Sequence, residues 1–135
     1  MRDGYTRKIE REDLGHPDFL KFIAANQASI VVVAGDDAGS EFVIDRAQTT
    51  IGRGRSVDVC FQDEALSSEH AAIEFTGDGF RLRDLGSMNG TLLNGGDVKA
   101  GDLKHGDRFQ LGTHVFQLIL EQRRREPRAY VLPDS

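Results

Sequence analysis

The sequence predicts an all-β domain, and three observations carry that expectation. Short segments alternate apolar and polar residues with a period of two. They are separated by Gly, Asp and Asn turns at intervals of roughly ten residues. The chain also holds 15 glycines against a single weakly helical stretch.

In chain order, residues 1 to about 15 are charged and lack sustained periodicity, which predicts an extension. Pro17 to Ala25 follows with Phe19, Phe22 and Ile23 at i, i+3 and i+4, the spacing of a short amphipathic helix. Pro17 suits a first helical turn, and such a helix is expected to pack on the domain's own surface. Ser29 to Ala34 is a β-branched apolar run, closed by the turn cluster Gly35 to Gly39. Alternation returns at Glu41–Asp45, Ala71–Phe75, Phe80–Arg83, Asp107–Leu111 and His114–Leu120. Gly77-Asp78-Gly79 and Asn94-Gly95 are hairpin-turn material. After Gln122 the run Arg123-Arg124-Arg125-Glu126-Pro127-Arg128 predicts a solvated tail or linker with no binding role. The expected organisation is therefore an extension over 1–28, one domain over 29–121 and a tail over 122–135.

Composition sets limits on function. The 135 residues suit one domain, with 39% hydrophobic and 29% charged side chains. The net charge of -5 argues against a general nucleic-acid binder. The lone cysteine, Cys60, excludes an internal disulfide and is expected to be a small buried hydrophobe in Val57–Phe61. No apolar run is long enough for a membrane helix, and the N-terminus lacks the apolar core of a secretory signal. A soluble, cytoplasmic protein is the expectation.

Three loop segments stand out: Thr50–Arg55, Leu66–His70 and Asp84–Thr91, the last followed by Asn94-Gly95. They do not spell a dinucleotide fingerprint, a phosphate loop or a nucleophile elbow. The histidines at 16, 70, 105 and 114 share no metal-ligand spacing. A Ser67 or Ser68 nucleophile activated by His70 has no orienting carboxylate placed by spacing. What the segments offer is a donor set for a phosphate. An arginine fork meets two oxygens, serine hydroxyls and loop amides fill further acceptor positions, and asparagine holds a peptide backbone.

The order Gly52-Arg53, Ser67-Ser68-Glu69-His70, Asn89-Gly90-Thr91 and Asn94-Gly95 resembles the forkhead-associated (FHA) domain family over roughly residues 29 to 121. The resemblance implies an FHA-type β-sandwich of about eleven strands, here with a short N-terminal helical extension, that binds phosphothreonine in a partner protein. It implies no catalysis, no cofactor and no metal. It assigns Arg53 and Ser67 to the phosphate, Ser68 to a neighbouring contact, and Asn89 to the peptide backbone. His70 is then structural, and Gly52, Gly90, Asn94 and Gly95 serve the loop geometry. Arg55 joins the phosphopeptide-binding set beside Arg53. Met88 departs from the small or polar residue common at its position, and is expected to line an apolar pocket for the peptide.

The partner implied is a phosphothreonine-containing protein, with a Ser/Thr kinase behind it, and neither nucleic acid nor membrane. The alternative is a structural or oligomerisation domain that keeps the fold without phosphate recognition. A further expectation places Thr6, with Ile9 three residues on, as a phosphorylation site through which the N-terminal extension occupies the domain's own site or a neighbour's.

Overall fold

A computed structural model describes residues 16–123. Thr6, Ile9 and the arginines after Arg123 lie outside the described residues.

A helix, α1 (Phe19–Ala25), precedes eleven strands. They are β1 (Asn26–Ala34), β2 (Glu41–Val43), β3 (Gln48–Gly52), β4 (Val59–Cys60), β5 (Ala71–Phe75), β6 (Phe80–Asp84), β7 (Thr91–Leu93), β8 (Gly96–Asp97), β9 (Ala100–Leu103), β10 (Arg108–Leu111) and β11 (His114–Gln122). One sheet has the order β2-β1-β11-β10-β7-β8 and the other β4-β3-β5-β6-β9. All pairings are antiparallel except β3 with β4, which is parallel.

The alternation seen in the sequence decides which faces meet. Ile30 and Val32, Phe109 and Leu111, and Phe116 and Leu118 turn inward from one sheet. Ile51, Ile73, Phe75, Phe80 and Leu82 meet them from the other. Each such side chain contributes roughly 1.5–3 kcal/mol when fully buried. The outer face of the second sheet carries a charged cross-strand cluster. Arg83 donates to Glu74 from Nε at 3.0 Å and Nη2 at 2.7 Å, and Gln48, opposite Glu74 in register, donates at 3.0 Å.

The helix is part of the core rather than an appendage. Phe19 is fully buried, and Phe19 and Phe22 pack their rings at an angle against Phe75, with Phe22 also edge-to-face on Phe80. This seals one end of the sandwich beside the Thr76–Gly79 turn. Asp18 makes no side-chain cap, so packing rather than capping holds α1.

Three expectations differ from the structure. The first strand starts at Asn26, inside the segment expected to be extension. Arg123, expected in the solvated tail, instead donates from Nε to Ile23 O at 2.7 Å and Asn26 O at 3.1 Å, satisfying carbonyls at the helix C-terminus. Cys60 is exposed rather than buried. Val59 and Phe61 take the inward positions on either side of it, so strand periodicity turns the thiol outward.

Candidate functional site

The end of the sandwich opposite α1 is formed by three loops, β3–β4, β4–β5 and β6–β7. They are stitched together by backbone and side-chain hydrogen bonds.

The first stitch is made where β3 ends. Arg53 N–H donates to Ser67 O and Gly54 N–H to Ser68 O, each at 3.0 Å. This approach is possible because residue 52 is glycine: a Cβ there would sit 2.2 Å from Ser68 O. Arg53 is thereby fixed beside Ser67. Its side chain is exposed, and its Nε donates to Leu66 O at 3.1 Å. Among the described residues it enters no salt bridge, so none of their carboxylates occupies the fork.

The second loop hangs on a buried acid. Asp63 Oδ1 accepts the Ala65 N–H at 2.9 Å, closing an Asx turn, and Leu66 N–H donates to Asp63 O at 2.9 Å. Leu66 drives its side chain into the core. Just beyond, Ser67 Oγ accepts the Met88 N–H at 2.9 Å, which leaves the hydroxyl proton free to be donated. His70 is fully buried. Its Nδ1 accepts from Ser67 N–H at 3.1 Å, so Nε2 carries the proton and donates to Gly90 O at 2.8 Å. Both ring nitrogens are thus engaged by backbone groups, and His70 is not positioned to act as a general base.

The third loop is wound on Asp84. Its Oδ1 accepts from Ser87 Oγ at 2.5 Å and Thr91 Oγ1 at 2.7 Å, and its Oδ2 from the N–H groups of Gly86 and Ser87. Burial alone would raise this carboxyl, but the bonds from Ser87, Thr91 and Gly86 hold it below the ordinary carboxylate range. The wound loop presents Met88 at 89% exposure and Asn89, whose Nδ2 donates to Ala65 O at 2.9 Å. Asn89 Oδ1 remains available to a ligand's N–H.

Arg53, Ser67 and Asn89 are therefore gathered on one rim. Ser68 and Arg55 are exposed on the adjoining loops. Met88 projects into solvent beside the rim, 89% exposed. Asn94 and Gly95 lie in the β7–β8 hairpin, with φ of 50° and 88°, the paired positive values of a two-residue turn. Asn94 also accepts from Arg108 N–H and donates to Asp107, so it fastens the hairpin. A rim built from exposed residues of three loops suits an extended chain laid over it.

Sequence reading passed over Asp63 and Thr113, gave His114 only as a strand residue without metal-ligand spacing, and quoted Asp84 only as a loop terminus. An Asx-turn signal was present in Asp63-Glu64-Ala65 and in Asp84-Leu85-Gly86. The partners of those acids come from distant strands, and no local pattern announces them.

Among the described residues, no cluster of His, Cys, Asp or Glu could hold a metal, and no helix is long and apolar enough to cross a membrane.

The FHA domain family model matches residues 49–112. Over 97 residues the chain is 36% identical to the glycogen accumulation regulator GarA of Mycolicibacterium smegmatis, covering 72% of this chain and 60% of that one. It is 33% identical over 103 residues to the oxoglutarate dehydrogenase inhibitor of Corynebacterium jeikeium, covering 76% and 70%. A structure from an analysis of phosphothreonine-dependent FHA domain interactions superposes with a TM-score of 0.63 at 27% identity, covering 69% of this chain and 95% of that one. The chain thus spans about three fifths of the length of its GarA relative. The sandwich, the order of the motifs and these matches agree: this chain belongs to the FHA domain family.

Proposed function

We propose that this domain is a phosphothreonine-dependent protein-binding module in which Arg53, Ser67 and Asn89 make the principal contacts. The observation that carries the reading is the convergence on one rim of an unpaired guanidinium fork, a hydroxyl with its proton free, and an amide with its oxygen free. Arg53 and Ser67 take the phosphate oxygens, Asn89 takes the peptide backbone, and Ser68 and Arg55 stand at the border of the site. Met88 offers an apolar surface to a residue flanking the phosphothreonine.

Phosphothreonine brings about −1.5 to −2 charges and three strong acceptors. Charge-assisted bonds contribute roughly 1.5–3 kcal/mol each, offset by the ordering of the peptide. The expected affinity is micromolar, about −8 kcal/mol. The threonine methyl adds only ~0.8 kcal/mol, about fourfold over phosphoserine, unless the β-branch also holds the bound rotamer.

The partner proposed is a protein marked by a Ser/Thr kinase, and the role proposed is that of a cytoplasmic signalling adaptor. GarA and the oxoglutarate dehydrogenase inhibitor are named as metabolic regulators. Control of a metabolic enzyme is accordingly the first partner class to examine. The functional unit includes α1 and Arg123, since both are built into the sandwich.

Calorimetry with matched phosphothreonine, phosphoserine and unmodified peptides drawn from a degenerate library tests the reading. Enrichment of phosphothreonine sequences with micromolar affinity is expected; no enrichment over unmodified peptides would overturn it.

A further inference from the structure

Two of the three side chains proposed to meet the ligand are held by carbonyls of a single turn. Ala65 O receives Asn89 Nδ2, and Leu66 O receives Arg53 Nε. The geometry of that turn is set by Asp63, whose Oδ1 and main-chain oxygen close it. Asp63 is only 8% exposed and touches none of the ligand-facing atoms. Its other oxygen, Oδ2, is taken up by the β10–β11 turn. It accepts from Thr113 N–H at 2.9 Å, Thr113 Oγ1 at 2.8 Å and His114 Nδ1 at 3.0 Å. Gly112 lets that turn close in, since a Cβ there would sit 2.8 Å from Oδ2. One carboxylate therefore joins the 63–66 turn to a hairpin of the opposite sheet.

We infer that Asp63, braced by Thr113 and His114, is a positioning residue for phosphopeptide recognition, because it fixes the two carbonyls from which Arg53 and Asn89 hang. The physical argument is preorganisation. An exposed arginine samples many rotamers, and ordering it on binding costs free energy. A hydrogen bond from Nε to a carbonyl that cannot move removes much of that cost before the ligand arrives. The bond is only as rigid as the turn carrying the carbonyl. The turn is rigid because its acid accepts bonds from two sides in a buried setting, where an unmet partner is costly.

The inference rests on the phosphothreonine reading for its affinity consequence alone. Its structural content is measurable in the ligand-free domain.

The experiment compares wild type with Asp63→Asn and with Thr113→Val, the latter removing one of the donors to Oδ2 at nearly constant volume. Each protein is assayed well below its melting temperature for phosphothreonine-peptide affinity. Its ligand-free NMR spectrum is recorded for the Arg53 Nε–H and Asn89 Nδ2–H₂ signals. Affinity is expected to weaken roughly tenfold in Asp63→Asn and roughly threefold in Thr113→Val, the scale of one hydrogen bond, with both side-chain signals displaced. A merely structural acid would lower the melting temperature and leave those signals in place. Folded variants with unmoved signals overturn the inference whatever their affinity, and displaced signals at wild-type affinity overturn it as well. Should Asp63→Asn not fold, Thr113→Val alone decides. Failure of the wild type to bind any phosphothreonine peptide would count against the functional reading instead, and the ligand-free signals would still decide the positioning role.

Discussion

Arg53 and Asn89 donate to consecutive carbonyls of one turn, Arg53 to Leu66 O at 3.1 Å and Asn89 to Ala65 O at 2.9 Å. The spacing between the guanidinium and the amide is thereby set by the 63–66 backbone rather than by the flexibility of either side chain. A ligand with a phosphate and a neighbouring main-chain N–H meets two groups already placed.

Arg53→Ala is expected to weaken phosphothreonine-peptide binding by at least 100-fold, roughly two charge-assisted bonds, while thermal stability changes little because the side chain is exposed. Arg53→Lys should rescue little, since an ammonium lacks the planar fork in which Nε bonds Leu66 O while the two terminal nitrogens meet phosphate oxygens in parallel. Calorimetric titration together with a melting curve checks both. Wild-type affinity in Arg53→Ala would remove Arg53 from the site.

Gly52→Ala should damage fold and binding together. The added Cβ would lie 2.2 Å from Ser68 O and 2.9 Å from Ser67 O, both main-chain atoms that cannot swing aside. A cost of about 3 kcal/mol is expected, at the upper end for overpacking, seen as a lower urea midpoint at unchanged slope. The folded fraction should also bind more weakly, because the displaced segment carries Ser67.

His114 makes stability fall as pH rises. Its two ring nitrogens lie 3.0 Å from Asp63 and 2.7 Å from Asp37, and only the imidazolium has an N–H for each. Burial, with the Phe61 and Phe116 rings alongside, works against that charge. The bonds to Asp37 and Asp63 outweigh it and raise His114 above its ordinary value of 6.5. A raised folded value means the contribution is complete below about pH 6.5 and is lost as pH climbs through the folded value. The neutral ring should keep the buried Asp63 and release Asp37, the more exposed partner at 45% against 6%. Urea midpoints across pH 6 to 9 should fall more steeply for wild type than for His114→Gln. Parallel profiles would refute the linkage.

The acid limb has the opposite sign. Asp84 is held below the ordinary carboxylate range by its loop donors despite burial. Glu74 is lowered chiefly by Arg83. Their contributions are present above about pH 4 and disappear as pH drops through the depressed values. Asp84→Asn should be less stable at neutral pH and should flatten the acid side of the pH–stability curve. The 86–90 loop, deprived of its anchor, should exchange its amides faster.

Much of the fold was legible because it rests on local regularities. Period-two alternation marked β5, β6, β10 and β11, and Asn94-Gly95 marked its hairpin. The two-residue strands β4 and β8 hold too few residues to alternate, and β9 (Ala100–Leu103) carries a single large apolar residue, Leu103, so none of them left such a trace. Cys60 shows the same limit. An apolar run does not say which of its members faces inward, and the register with β3 turned the thiol out.

By itself the sequence determined which groups are on offer: a guanidinium, hydroxyls and an amide in loops punctuated by glycine, on a chain that must fold as paired sheets. Only the tertiary structure decided how those groups are held. Asp63 meets Thr113 and His114, Asp84 meets Thr91, and His70 meets Gly90, because strand pairing brings together loops that are distant in the chain. Hydrogen bonds of that kind depend on a position in space within a few tenths of an ångström, and residue order does not encode such positions until the sheets have formed.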